Sequence, residues 1–183
     1  MRAGGRRVLA GLLAGLSAGL VLGLSAACAP ALDWRELRPP GWGIAASLPC
    51  RPATQQRSVE LAGAPVALAL WACDADGHVF ALASADLADP ARVAPALQAL
   101  GEAARLNLAA RVDGDAPAQV PGMTPQAAAR LWRLSGRRPD GQPLREQVLV
   151  FAHGTRVFQV TLIGPRADDA LARPLFDALL VLP

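Results

Sequence analysis

The chain has 183 residues, 52% of them hydrophobic and only 18% charged, which excludes a disordered polyelectrolyte and suits one domain, or one domain with an appendage. Its formal charge is +3, but Arg2, Arg6 and Arg7 stand in an opening stretch without a single acid. Taking those three from the 18 basic residues, all of them Arg, leaves fifteen against 15 acids, and a neutral remainder argues against a nucleic-acid partner.

The three arginines precede an uncharged run, rich in Leu, Ala and Gly, that reaches Ala31. A basic start, an apolar core and a small-residue end form the pattern of an export signal, assigned here to residues 1–27. With Arg held on the cytoplasmic side, everything after it faces away from the cytoplasm. The run closes as Leu24-Ser25-Ala26-Ala27-Cys28, which resembles the lipobox of bacterial lipoproteins, with Ser25 where that family usually carries Leu. The resemblance implies cleavage before Cys28, acylation of Cys28 and attachment to a membrane through lipid. Ala29 after the cysteine, rather than Asp, implies the outer membrane by the same resemblance. Two other readings stay open. Ser25-Ala26-Ala27 or Ala29-Pro30-Ala31 could be a small-x-small cleavage site that yields a soluble periplasmic protein. The apolar run is also long enough to stay as a membrane span, with Gly11, Gly15, Gly19 and Gly23 at a spacing that lets membrane helices approach closely.

Residues 28–33 read as a short tether and 34–183 as a single domain. Three cysteines are an odd number. With lipid on Cys28, Cys50 and Cys73 remain as a pair in an oxidising compartment, each at the end of a predicted strand. A disulfide between them is expected, worth roughly 3 kcal/mol in the chain-entropy model; two buried thiols are the alternative.

Extended segments are predicted at 34–37 and 43–48, split by Pro39-Pro40-Gly41, and then at 56–61 and 65–73 around Gly63. Val66 to Ala72 is apolar on both faces, as a strand covered on both sides would be. Asp74-Ala75-Asp76-Gly77 turns into a strand at 79–87. A helix lies between Pro90 and Ala110, where Val93, Leu97, Leu100, Ala104 and Leu108 form one stripe. Asp89 before Pro90 is a start signal, although Pro95 favours a later start. A turn-rich stretch through Gly114, Pro117 and Pro121-Gly122 leads into a three-strand meander over 128–136, 144–152 and 156–163. A final helix opens at Asp168 and Asp169 and carries Leu171, Leu175 and Leu179, with Pro174 as an irregularity. The fold class is α+β: an antiparallel sheet of hairpins and a C-terminal meander, flanked by two helices.

This order includes an early Gly-x-Ile segment ending in Leu-Pro, a long helix, a meander with a Phe-Gln-Val-Thr-Leu strand, and a closing helix with Phe176. It resembles the PsbP-like α/β/α sandwich over about residues 34–182. Members of that family are mostly non-catalytic accessory or assembly factors, so the resemblance implies a binding role toward another envelope protein. It carries over no binding residue, because no functional motif of the family stands at a matching position.

The inventory of reactive groups is short. His78 and His153 both fall at hairpin turns and are expected to be exposed, and no His-x-His or HExxH spacing points to a metal. The Asp74–Gly77 segment has the chemistry of a turn rather than of a calcium loop. Ser47, Ser58, Ser84 and Ser135 stand in no nucleophile motif. Asp113/Asp115 flank a Gly turn and Asp168/Asp169 suit a helix N-terminus. Arg137-Arg138 reads as a solvated hairpin end, with an anion contact as the alternative. Trp71 and Trp132 fall in strands and are expected in the core. Trp42, between Gly41 and Gly43, reads as ordinary packing, with an exposed contact for a partner as the alternative. No cofactor or metal is expected. The rival to a binding protein is an enzyme whose site assembles from His153, Asp140 and Arg156.

Overall fold

A computed structural model describes residues 32–183. The element order is β1 (Arg35–Leu37), β2 (Ile44–Leu48), β3 (Ala53–Leu61), β4 (Ala64–Ala75), β5 (His78–Asp86), α1 (Val93–Asn107), β6 (Arg111–Pro117), β7 (Arg130–Arg137), β8 (Pro143–His153), β9 (Arg156–Gly164), α2 (Asp169–Phe176) and β10 (Leu180–Val181). Seven strands form one antiparallel sheet in the order β3-β4-β5-β9-β8-β7-β6, and three form a small sheet, β1-β2-β10. The α+β class is therefore as expected. Every neighbouring pair in the large sheet except β5–β9 is a hairpin or a direct successor, so α1 and the meander fold back onto the centre of the sheet.

Side-chain alternation separates the two faces of the large sheet. Trp132, Leu134 and Gly136 point to α1: a methyl group on Gly136 would meet the backbone oxygen of Leu108, and one on Gly101 would meet the Trp132 ring. Arg133 and Gln147 point the other way, where both bond Asp169 of α2. The two helices thus flank opposite faces, and the small sheet shares the α2 side, with Trp42 against Phe158 and Trp34 against Phe80. Strand β8 is buried on both faces from Glu146 to Ala152. Strand β4 is not: Pro65 and Ala67 are exposed, so the apolar run predicted to be covered on both sides is covered on one face only over this stretch.

Val93, Leu97, Leu100, Ala104 and Leu108 are buried as the helical stripe requires. Asp89 accepts from the Ala91 N–H and caps a 3₁₀ turn, Pro90–Arg92, which leads into α1. Pro95 becomes the third residue of α1, where its missing N–H costs nothing because the first turn has no intrahelical acceptor. Arg92 ties this corner together. Its Nη2 donates to the carbonyls of Leu61 (2.6 Å) and Ala64 (3.2 Å), its Nε to Ala62 (3.2 Å) and its Nη1 to Leu87 (3.3 Å).

Two elements depart from the predicted order. Arg111–Pro117 is a strand, not a turn-rich connection, so the meander has four strands. Gly114 sits where the register shifts between Val112 and Gly114, and Pro117 ends an edge strand, where no partner needs its N–H. The last helix stops at Phe176, and Leu180–Val181 pairs with Ala45 and Ile44 instead of continuing it. Asp168 caps that helix through the Leu171 N–H at 3.0 Å, as its position predicts.

Candidate functional site

Cys50 and Cys73 form the expected disulfide, with Cα atoms 6.0 Å apart. It joins the end of β2 to β4 and so links the two sheets. Cys28 and the export segment lie outside the described residues.

The histidines part company. His153 is exposed at the β8–β9 hairpin, as expected. His78 is the opposite of the expectation: it is 2% exposed, its Nδ1 lies 2.7 Å from the Asp76 carbonyl, and its Nε2 accepts from the Arg166 N–H at 3.3 Å. The pair of contacts assigns the ring proton to Nδ1. Its ring lies over Gly164, where a methyl group would come within 2.2 Å of His78 Cδ2. A glycine 86 positions further along the chain therefore makes room for this imidazole, and the turn sequence alone does not show it.

The dispersed triad of His153, Asp140 and Arg156 does not assemble. Asp140 belongs to the β7–β8 hairpin and His153 to the other end of β8, an eleven-residue strand, which separates them by about 30 Å. Arg156 pairs with His153 across the β8–β9 ladder, but its guanidinium turns to Asp86, 3.2 Å away.

Arg156 is instead brought beside Trp42. Trp42 is 8% exposed, so it packs, and the alternative of an exposed tryptophan falls: its ring lies against Trp71 and Phe158, with centroids 6.0 and 6.5 Å away. The uncovered part of β4 leaves a cleft of about 340 Å³ next to it, lined by Trp42, Gln56, Ala67, Ser84, Asp86 and Arg156 among others. Register explains the assembly, since Ala69 is opposite both Gln56 and Ser84. The polar groups are held firmly. Asp86 accepts from Thr155 at 2.8 Å and from the Ala88 N–H at 3.0 Å. Those two bonds, with Arg156 as the lesser cause, keep its carboxyl below the usual range although burial pushes the other way. Ser84, buried at 1%, meets the Arg156 guanidinium at 3.4 Å rather than an imidazole. The cleft offers a guanidinium, a carboxylate, an amide and a short apolar floor. Gln56, Ala67 and Asp86 are not site candidates in the sequence, and Ser84 enters there only as a serine outside any nucleophile motif; the available signal is period-2 spacing, which puts Ala67 with Ala69 and Ser84 with Asp86 on single faces.

A second polar cluster lies under α2. Arg133 Nε and Gln147 Nε2 both reach Asp169 Oδ1, at 2.8 and 3.0 Å, and Gln147 also bonds the Ala167 carbonyl at 3.2 Å. Arg133 is the main cause of the lowered pKa of Asp169. On the opposite face Glu146 is 5% exposed, between Leu134 and Ile163 in the ladder. Burial alone pushes its carboxyl up to about 7. Among the described residues no three His, Cys, Asp or Glu side chains are gathered as a metal would need, and no helix is long and apolar enough to cross a membrane.

No family model matches the chain, and no curated protein does. Among solved structures it is similar to the Pseudomonas aeruginosa protein of unknown function PA94, with 13% identity, a TM-score of 0.36, and coverage of 78% of this chain and 90% of that one.

Proposed function

We propose that the chain is a non-catalytic envelope lipoprotein, tethered through lipid on Cys28, whose PsbP-like sandwich serves as a binding or accessory factor for another envelope protein. One observation carries the reading. The disulfide takes up Cys50 and Cys73, which leaves Cys28 as the single remaining cysteine, placed at the end of an Arg-led apolar run. A structural disulfide suits an oxidising compartment, and a lone cysteine at the close of an export signal is the acylation site the lipobox resemblance implies. Several acyl groups on that residue would supply the stable anchor that a single chain does not.

Opposite helices on the two faces of an antiparallel sheet support the sandwich reading. The Trp42–Arg156 cleft supplies a surface for a partner, with Asp86 and Arg156 as paired charges beside an aromatic edge. Ala29 after Cys28, rather than Asp, favours the outer membrane by resemblance to other lipoproteins. Metabolic labelling with a fatty acid tests the anchor: label is expected on the full chain and absent from Cys28→Ser. Equal absence from both sinks the reading.

A further inference from the structure

The two edges of the seven-stranded sheet, β3 and β6, are built differently. Strand β6 shifts register at Gly114, ends in Pro117 and carries Arg111, Asp113 and Asp115. A bulge, a proline and clustered charges are devices that keep a foreign strand off an edge. Strand β3 pairs with β4 without interruption from Ala53 to Leu61. It holds no Pro or Gly and only two charges in its 9 residues, Arg57 and Glu60, and Ala53 to Ser58 are all exposed.

The β3–β4 turn fixes which backbone groups face outward. Ala62 and Gly63 have φ of 51° and 81°, as the two central residues of a type I′ turn do. A two-residue turn of this kind is closed by a hydrogen-bonded pair, here Leu61 and Ala64. Bonded and non-bonded pairs alternate along an antiparallel ladder. The odd-numbered residues of β3 therefore bond β4, while Thr54, Gln56, Ser58 and Glu60 turn their N–H and C=O groups outward. No loop or turn among the described residues bonds those groups. The side chains of these four residues share the α2 face, since Gln56 is opposite Ala69 and Ala69 is opposite Ser84. Gln56 itself borders the Trp42–Arg156 cleft.

We infer that β3 pairs antiparallel with β3 of a second copy of this chain, about a two-fold axis through Gln56. Two edges bond only where outward groups meet outward groups, so even-numbered residues face even-numbered ones and the axis passes through a residue. An axis through Arg57 would overlap the strands completely but set two guanidinium groups directly opposite each other, which is disfavoured. An axis through Ser58 would carry the overlap into the turn end at Leu61, which is buried. The axis through Gln56 avoids both. It faces Gln56 with the partner's Gln56, Thr54 with the partner's Ser58 and Arg57 with the partner's Gln55, and in each pair a donor meets an acceptor. About seven residues a side face each other, against roughly 20–30 in a standard interface, so the pair is weak and forms where the chain is concentrated. A two-fold axis perpendicular to the sheet keeps the α2 faces of both copies on one side. The two Trp42 clefts then open side by side, with Gln56 and the partner's Gln56 between them, as one double site. That use of the pairing rests on the cleft serving a partner, as proposed above; the pairing itself does not.

Disulfide capture tests the pairing and its register. The full chain in neutral detergent, carrying Gln56→Cys, Ser58→Cys or Arg137→Cys singly, is oxidised mildly, and the unsubstituted chain measures capture through Cys28. Facing Cα atoms of a bonded pair stand about 5.5 Å apart, within disulfide range, so Gln56→Cys should give at least about tenfold more covalent dimer than Arg137→Cys. Ser58 lies about 13 Å along the strand from the partner's Ser58, and Ser58→Cys should give no more dimer than Arg137→Cys. Ser58→Pro removes an outward N–H that β4 does not use. Added to Gln56→Cys, it should cut capture at least about tenfold at an unchanged melting temperature. Thr54→Lys/Ser58→Lys, which sets like charges opposite each other, should do the same without a proline. A yield from Arg137→Cys equal to that from Gln56→Cys, or capture that persists in both blocking variants, would overturn the pairing. A yield from Ser58→Cys that matches or exceeds that from Gln56→Cys would overturn the register and the double site. Loss of fatty-acid label with intact capture would instead remove the anchor and leave the pairing.

Discussion

Gly101, in the middle of α1, lies flat against the Trp132 indole of β7: a methyl group added there would come within 2.3 Å of ring carbon Cζ3. A helix-interior glycine ordinarily costs about 1 kcal/mol relative to alanine. Here that cost is outweighed by the close approach it permits between helix and sheet. Gly101→Ala is expected to destabilise the fold by about 1–3 kcal/mol in urea unfolding, the range for overpacking. In a Trp132→Leu background the same substitution should cost little or become favourable, and a full cost there would show that the clash is not with the ring.

Glu146 sets a pH dependence. Its folded pKa is raised to about 7 from 4.5 by burial, so the folded state holds this proton more tightly than the unfolded one. Its contribution is fully present below pH 4.5, declines as the pH rises toward 7, and levels off above that. Glu146→Gln should flatten this slope and make the protein more stable at pH 8, by up to about 3 kcal/mol. Parallel urea titrations of both proteins at pH 5 and pH 8 measure it, and identical slopes would refute the assignment.

The disulfide should be a major support. The bridged residues are 23 positions apart, a loop whose closure is worth about 3 kcal/mol in the chain-entropy model. Cys73→Ser, or wild type under dithiothreitol, should lose about that much, with the two treatments agreeing. A loss under 1 kcal/mol would mean that the link between the sheets is redundant.

Arg92 should tolerate no replacement. Its guanidinium reaches four carbonyls on the β3–β4 turn and the approach to α1, and hydrogen bonds to charged donors are worth about 1.5–3 kcal/mol each before non-additivity. Arg92→Ala should cost about 3 kcal/mol. Arg92→Lys should recover less than half, because one ammonium cannot span the fork of a guanidinium. Hydrogen exchange at the Leu61–Ala64 turn is the local readout.

Much of this architecture is legible in the residues because it repeats. The α1 stripe and the alternation in β9 follow from periods that a single sequence displays. Strand β6 hides behind Gly114 and Pro117, residues that mark a turn in isolation and here mark a bulge and an edge. Leu179 continues a four-residue spacing past the end of α2, and only pairing of Leu180–Val181 with β2 shows that the helix has already stopped. His78 looks like turn chemistry until Gly164 and the Arg166 N–H arrive from 86 and 88 positions away. The Trp42 cleft is long-range in the same sense: Gln56, Ser84 and Arg156 come together only through strand register.

The small sheet has one further consequence. Its centre, β2, is flanked by β1 from the start of the domain and by β10 from its far end, and Leu182 then bonds Gly43. Until Leu180–Val181 is in place, one edge of β2 has no partner in the small sheet. The sheet closes only through contact between segments far apart in the sequence, Ile44 with Val181 and Gly43 with Leu182, and replacing Leu180 and Val181 by residues that cannot pair would leave an open seam there.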